Sequence, residues 1–223
     1  MVLLQGSAKS ASLEETLIIS EQLKRCICKI EINDKTGTGF FCFISYNNKM
    51  LPVLISASYV IRLTNELEEI NITLNDISKK INIKDGRKTY MNDELFVTII
   101  EIIPEKDLIF DFLALEENIF KVDNANSIFK GESLYTLKYS INDKLVSYGL
   151  CISIEDNKNI RHSCNTESMS GGSPILSMTN DRVIGIHTGS PKYYNFNYGY
   201  FLKIPITEFI NLNKDYINLN GIS

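Results

Sequence analysis

Cys164-Asn165-Thr166-Glu167-Ser168-Met169-Ser170-Gly171-Gly172-Ser173-Pro174-Ile175-Leu176 is the stretch whose reading decides the fold. Small residues crowd its centre, a proline stops it, and an apolar run follows. A tight loop feeding a buried strand has this composition.

Short strands surround the loop on both sides. Upstream, Cys26 to Ile32 is strand-like, Asn33 to Gly37 is a turn, and Thr38-Gly39-Phe40-Phe41-Cys42-Phe43-Ile44 is a second strand. Leu51 to Ile61 follows, then Ile70 to Leu74, Ile81 to Ile83 and Leu95 to Ile102. Downstream, Pro174 to Met178, Val183 to Gly189 and Asn197 to Leu202 complete the series, after Ser133 to Leu137 and Leu145 to Ile154. Many short strands with turn signals between them predict an all-β chain of two antiparallel β-barrels. A helix is expected over residues 12 to 24, with Ser12 and Glu15 spaced as a capping box. Its partial apolar stripe of Leu13, Leu17, Ile18 and Leu23 is expected to face the first barrel. Pro205 to Leu212 reads as a closing helix with the proline in its first turn. The expected division is an N-terminal helical extension at 1–25, a first barrel at 26–117 and a linker at 118–130. A second barrel with its closing helix takes 131–212, and a tail takes 213–223.

Composition narrows the function. The chain has 223 residues, 44% of them hydrophobic and 22% charged, which is globular and not disordered. Its net charge of -4 disfavours a general nucleic-acid or anionic-membrane binder. No apolar run is long enough to span a bilayer, and no basic residues precede the short apolar start, so no secretory signal is expected. Five cysteines, an odd count without framework spacing, suggest reduced thiols in a cytoplasmic or other reducing compartment. Cys26 and Cys28 lie on one strand face, but with two histidines in the chain no metal site or cofactor is expected.

The loop resembles the nucleophile loop of trypsin-like serine proteases, especially intracellular-type members that read G-x-S-G-S-P-I. The resemblance covers roughly residues 26 to 212 and implies the chymotrypsin-like arrangement of two six-stranded barrels. In that family the nucleophilic serine stands directly before Gly-Ser-Pro; here the place holds Gly171. G-T-G-F-F followed by L-P-V-L-I-S-A-S-Y-V-I is similar to the segments that lead to the general base in L-I-T-x-x-H-V-I; here the place holds Tyr59. Leu95 to Ile102, preceded by Arg87 to Tyr90, resembles Y-D-I-T-I-I-E-I, whose aspartate orients the histidine; here the place holds Phe96. A rival register puts the acid at Asp111, where Asp111-Phe112-Leu113-Ala114-Leu115 resembles D-x-A-L-L.

Acyl transfer by serine needs a hydroxyl to attack, an imidazole to take its proton and a carboxylate to hold the imidazole. Tyr59 titrates near pH 10 and is no neutral-pH base. Phe96 has no acceptor, and Gly171 has no side chain. The two histidines, His162 and His187, both lie in the second half, so the first barrel has no imidazole to offer. The oxyanion loop is altered too: Met169 stands where the resemblance implies a glycine, and is expected to turn its N–H elsewhere. Tyr59 and Phe96 are expected to pack together over Gly171 and fill the former cleft, with ordinary core packing as the alternative.

Two readings of the remaining groups stay open. Gly185-Ile186-His187-Thr188-Gly189 resembles G-I-H-x-G of glutamyl endopeptidases and picornavirus proteases, which implies a pocket for Glu or Gln at His187, Thr188, Gly189 and Ser190. A core histidine is the competing reading. Ser170 or Ser173 as a shifted nucleophile would make the chain an active endopeptidase. Exposed members of the aromatic run Tyr193, Tyr194, Phe196, Tyr198 and Tyr200 would suit a protein contact. The leading expectation is an inactive trypsin-like pseudoprotease, used as a protein-binding or structural subunit, with no nucleic acid and no membrane insertion. It could belong to a larger assembly. The alternatives are the active enzyme and a decoy for Glu- or Gln-containing peptides.

Overall fold

The computed structural model describes residues 8–46, 49–84, 86–141, 143–189 and 195–214. Helix α1 (Leu13–Cys26) starts at Ser12, whose hydroxyl accepts from the Glu15 N–H while Glu15 accepts from the Ser12 N–H. This capping box satisfies two N–H groups that the helix itself leaves unpaired. The buried face of α1 is not the expected one. Ile19 is 1% exposed, Cys26 is buried and Leu23 packs on the same core, a stripe at i, i+4 and i+7. Leu13, Leu17 and Ile18 face outward, Leu17 at 60% exposure. Periodicity marks both faces as apolar; the sheet beneath meets the one centred on Ile19.

The first half is built from β1 (Ile27–Ile32), β2 (Lys35–Tyr46), β3 (Lys49–Ser56), β4 (Glu69–Leu74), β5 (Ile77–Asn82), β6 (Thr89–Asn92) and β7 (Val97–Glu101). Helix α2 (Pro104–Asp107) and strand β8 (Leu113–Ala114) end it. Its strands run in the order β5-β4-β1-β2-β3-β7-β6, with β8 paired in parallel to β2. Both faces of this sheet are apolar, so alternate residues feed two cores. Phe40, Cys42 and Ile44 face the core shared with the second half; Cys28, Ile30, Phe41 and Leu54 fill the first half's own core. Asp107 accepts two hydrogen bonds from Arg87 in a buried ion pair that ties α2 to the approach of β6. The fork geometry satisfies both carboxylate oxygens, as burial demands.

The segment from 118 to 130 was expected as a polar linker. It holds a 3-10 turn (Glu117–Phe120) and helix α3 (Ala125–Phe129), and it buries Ile119, Ala125 and Phe129. The second half follows with β9 (Ser133–Tyr139), β10 (Lys144–Glu155), β11 (Asn159–His162), β12 (Pro174–Ser177), β13 (Val183–Gly189) and β14 (Asn197–Phe201). Helix α4 (Lys203–Leu212) closes it, burying Pro205, Ile206 and Phe209.

The architecture is the expected all-β pair of barrels with helices at the two ends, but the halves close differently. The second is a continuous ring, β10-β11-β14-β13-β12-β9, of six strands. The first has seven strands along its path and, among the described residues, no ladder from β5 to β6. Strand β5 buries only Ile81 and carries Lys79 and Lys80, side chains of the kind that blunt a sheet edge.

Candidate functional site

The cleft between the halves is assembled from three turns. The first leaves β3 at Ser56 and coils back, with the Val60 and Ile61 N–H groups both donating to the Ala57 carbonyl. Tyr59 sits on that coil. The second turn joins β6 to β7. Asn92 Oδ1 accepts from the Glu94 and Leu95 N–H groups, and the chain reverses through Phe96 at φ 51°. Phe96 was expected inside a strand; it is the last residue of this turn, and β7 begins at Val97. A donor–acceptor pair joins the two turns: the Ser58 N–H donates to the Phe96 carbonyl at 3.2 Å.

The third turn is the loop before β12. It is pinned to the first half through Thr38, whose N–H donates to the Gly171 carbonyl at 3.0 Å and whose hydroxyl donates to the Met169 carbonyl at 2.8 Å. Gly172 lies at φ 90°, and a Cβ there would overlap the Thr38 carbonyl oxygen and crowd Ser56 Oγ, so only glycine fits. Met169 stands at φ 71°. The residue takes a left-handed conformation despite its Cβ, at a cost of about 1–2 kcal/mol, and its side chain packs on the core.

At the centre, a Cβ on Gly171 would overlap the Tyr59 hydroxyl. The phenol occupies the space into which a side chain at 171 would project. Its hydroxyl donates to the Thr188 carbonyl at 3.0 Å, and burial pushes its pKa above the ordinary tyrosine value. Phe96 meets Tyr59 edge-on, with ring centroids 6.4 Å apart, and continues to Tyr200 at 5.9 Å. The three rings form a row across the cleft. Tyr59 and Phe96 remain 40% and 42% exposed, so they form the surface of a filled cleft and not an interior core. Asp111 is elsewhere, on the surface beside Arg25 of α1 at 3.6 Å.

Neither alternative serine is presented to the cleft as a nucleophile. Ser170 is buried, and its Oγ accepts from the Glu167 N–H at 2.9 Å within the loop. Ser173 is buried with an unpartnered hydroxyl, and its carbonyl accepts from the His187 N–H. The imidazoles pair with each other: His162 Nε2 lies 3.3 Å from His187 Nδ1, inside the second barrel, at 0% and 3% exposure. Desolvation drives both pKa values down, His162 to about 3 and His187 to about 4. Their mutual repulsion adds to the shift at His162, and the buried Lys138 adds at both. Two neutral rings in contact are what a low-dielectric interior enforces. All five cysteines are free and buried; burial raises Cys164 to about 12, too high for a thiolate nucleophile.

Of the expected binding set, Thr188 and Gly189 line an open cleft beside Phe96. His187 lies beneath the surface, so the expectation of an imidazole offered to a Glu or Gln side chain is corrected. Strand β13 is buried on both faces from Val183 through His187, and exposure begins at Thr188. Ser190, Tyr193 and Tyr194 fall outside the described residues. The contribution of Tyr200 to the aromatic row had no sequence signal beyond its place in an aromatic-rich run. Among the described residues no group of side chains could hold a metal ion, and no helix is long and apolar enough to cross a membrane.

No known family and no curated protein matches the chain in sequence. Solved structures do match in shape. Deg5 superposes with a TM-score of 0.62 at 16% identity, covering 91% of this chain and 97% of its own. An inactive form of Rv3671c from M. tuberculosis H37Rv gives 0.65 at 12% identity, covering 93% and 94%. Catalytically active tobacco etch virus protease, complexed with product, gives 0.60 at 16% identity, covering 94% and 88%. At such identities the likeness establishes the chymotrypsin-like fold.

Proposed function

We propose that this chain is a protein of the serine-protease fold that has lost peptidase chemistry and acts by binding protein, as a recognition or structural subunit. One observation carries the reading: the Tyr59 hydroxyl fills the space that any nucleophilic side chain at 171 would need. The same hydroxyl uses the Thr188 carbonyl, an acceptor that a peptide strand added along Thr188 and Gly189 would otherwise use. Catalysis would need an imidazole at the cleft, and the two imidazoles of the chain are buried against each other. Loss of a single triad member already reduces turnover by about 10⁴-fold or more.

The test is labelling of the full chain with a fluorophosphonate probe, read by mass spectrometry. No serine in the 168–173 loop should be labelled. Stoichiometric labelling of Ser170 or Ser173 would overturn the proposal and favour an active endopeptidase. A decoy for Glu or Gln peptides loses its main support, because the imidazole that would recognise them is enclosed.

A further inference from the structure

The outward stripe of α1 belongs to a larger apolar face. Leu13, Leu17 and Ile18 stand along the helix, and Ile77, Leu108 and Phe110 stand beside it, all between 42% and 78% exposed. Leu108 takes a left-handed conformation, φ 54°, at the end of α2, a place where glycine is usual. Two hollows join these side chains. One, of about 410 Å³, runs between Leu17 and Ile18 of the helix and Phe112. The other, of about 420 Å³, is walled by Ile77, Leu108 and Phe110. Glu21, Arg25 and Asp111 line both, so these charges form a divide between two apolar hollows. None of these residues lines the cleft beside Phe96.

Size and pattern together point to the occupant. With about 150–250 Å² on a large aromatic side chain and somewhat less on an aliphatic one, the six present roughly 600 Å². That is the upper end of the apolar patch an ordinary monomer exposes. With the charged divide it approaches the roughly 800 Å² that each partner buries in a stable interface. The charges on the divide are balanced and already paired. Glu21 meets Arg25 at 2.8 Å and Lys24 at 3.3 Å, and Arg25 meets Asp111 at 3.6 Å. Two carboxylates against two cations select neither an acidic nor a basic partner. Such a divide can lie against its own copy without net repulsion.

The apolar parts flank the divide on both sides, the helix leucines on one and Ile77, Leu108 and Phe110 on the other. A two-fold axis through the divide exchanges the sides. Leu13 and Leu17 of one copy then meet the second hollow of the other, and Phe110 meets the first. The two α1 helices cross antiparallel, so Glu14 in the first turn of one approaches Lys24 in the last turn of the other. An isologous contact requires this kind of pattern, because one patch must complement itself. We infer that this face is where two copies of the chain meet in a two-fold dimer. The inference goes beyond the binding role proposed above and does not depend on it.

The experiment is sedimentation equilibrium of the full chain from low- to high-micromolar concentration. A reversible monomer–dimer equilibrium is expected. Leu17→Asp and Phe110→Asp should each raise the dissociation constant by about 10-fold or more. Both side chains are exposed in the single copy, so the circular dichroism spectrum should not change. Glu21→Cys, on the divide, should give a disulfide-linked dimer under mild oxidation, since the native cysteines are buried. Met50→Cys, exposed outside this face, should not. A monomer at every concentration, the result if a different protein covers the face, would overturn the inference. So would a dimer that both aspartate variants leave intact, or one that crosslinks equally through Met50→Cys. Serine labelling is read separately, so either result stands without the other.

Discussion

The two walls of the cleft have been treated differently. The second-half wall, the loop from Cys164 to Pro174, keeps a demanding backbone: left-handed φ at Met169 and Gly172, and three hydrogen bonds from Thr38 and Ser173 to its carbonyls. The first-half wall keeps its two turns but fills them with aromatic rings, Tyr59 and Phe96, where the resemblance implies an imidazole and a carboxylate. Scaffold and chemistry are therefore separable. A loop locked by backbone hydrogen bonds into both halves cannot drift without unfolding its neighbours. Side chains on exposed turns can change with little cost to the fold.

The largest effect should come from the rigid wall. Gly172→Ala adds a Cβ against the Thr38 carbonyl at a φ that favours glycine. It should destabilise the chain by at least about 3 kcal/mol, measured by urea unfolding. A change under about 1 kcal/mol would mean the loop is not locked as described.

The buried histidines of the same half should make stability depend on pH. Their folded pKa values, about 3 and about 4, lie below the ordinary 6.5. The unfolded chain therefore binds more protons below pH 6.5. The stabilisation is complete above that value and is lost as pH falls from about 6.5 toward 4, at about 1.4 kcal/mol per pH unit for each histidine that gains a proton on unfolding. Urea midpoints between pH 7 and pH 5 should fall accordingly, and a double replacement, His162→Gln with His187→Gln, should flatten the profile.

The aromatic wall should yield more easily. Gly171→Ala forces the Tyr59 hydroxyl aside, but the ring is partly exposed and can swing out, so the cost should be about 1–2 kcal/mol. In the Tyr59→Phe background the same change should cost measurably less, because the displaced oxygen is gone; a double-mutant cycle reads the difference. Additive costs would show that the two residues do not share the space. Tyr59→Phe alone is the smallest effect, about 0.5–1.5 kcal/mol for the bond to the Thr188 carbonyl.

Much of this was legible in the chain itself. The fold class followed from short strands and turn residues, and the first helix from Ser12 and Glu15, because capping and alternation are local properties. Tyr59, Phe96 and Gly171 could be singled out because loop motifs are local in sequence; that they meet at one cleft is a tertiary result. Alternation could not choose which face of α1 is buried, since Leu17 and Ile19 are equally apolar and only the sheet beneath distinguishes them. The lysine-bearing β5 edge gave no warning that the first barrel stays open, for ring closure depends on where distant strands end.

Residue identity alone leaves the first half without an imidazole and position 171 without a side chain. Three-dimensional packing decided what occupies their place. It set the Tyr59 hydroxyl over Gly171, enclosed His187 against His162, and raised a row of rings beside Glu155. The reason is one of range. Propensity and chemistry belong to neighbours along the chain, whereas Tyr59 meets a carbonyl 129 positions away and even the paired histidines stand 25 apart, and only the closed fold brings them within reach.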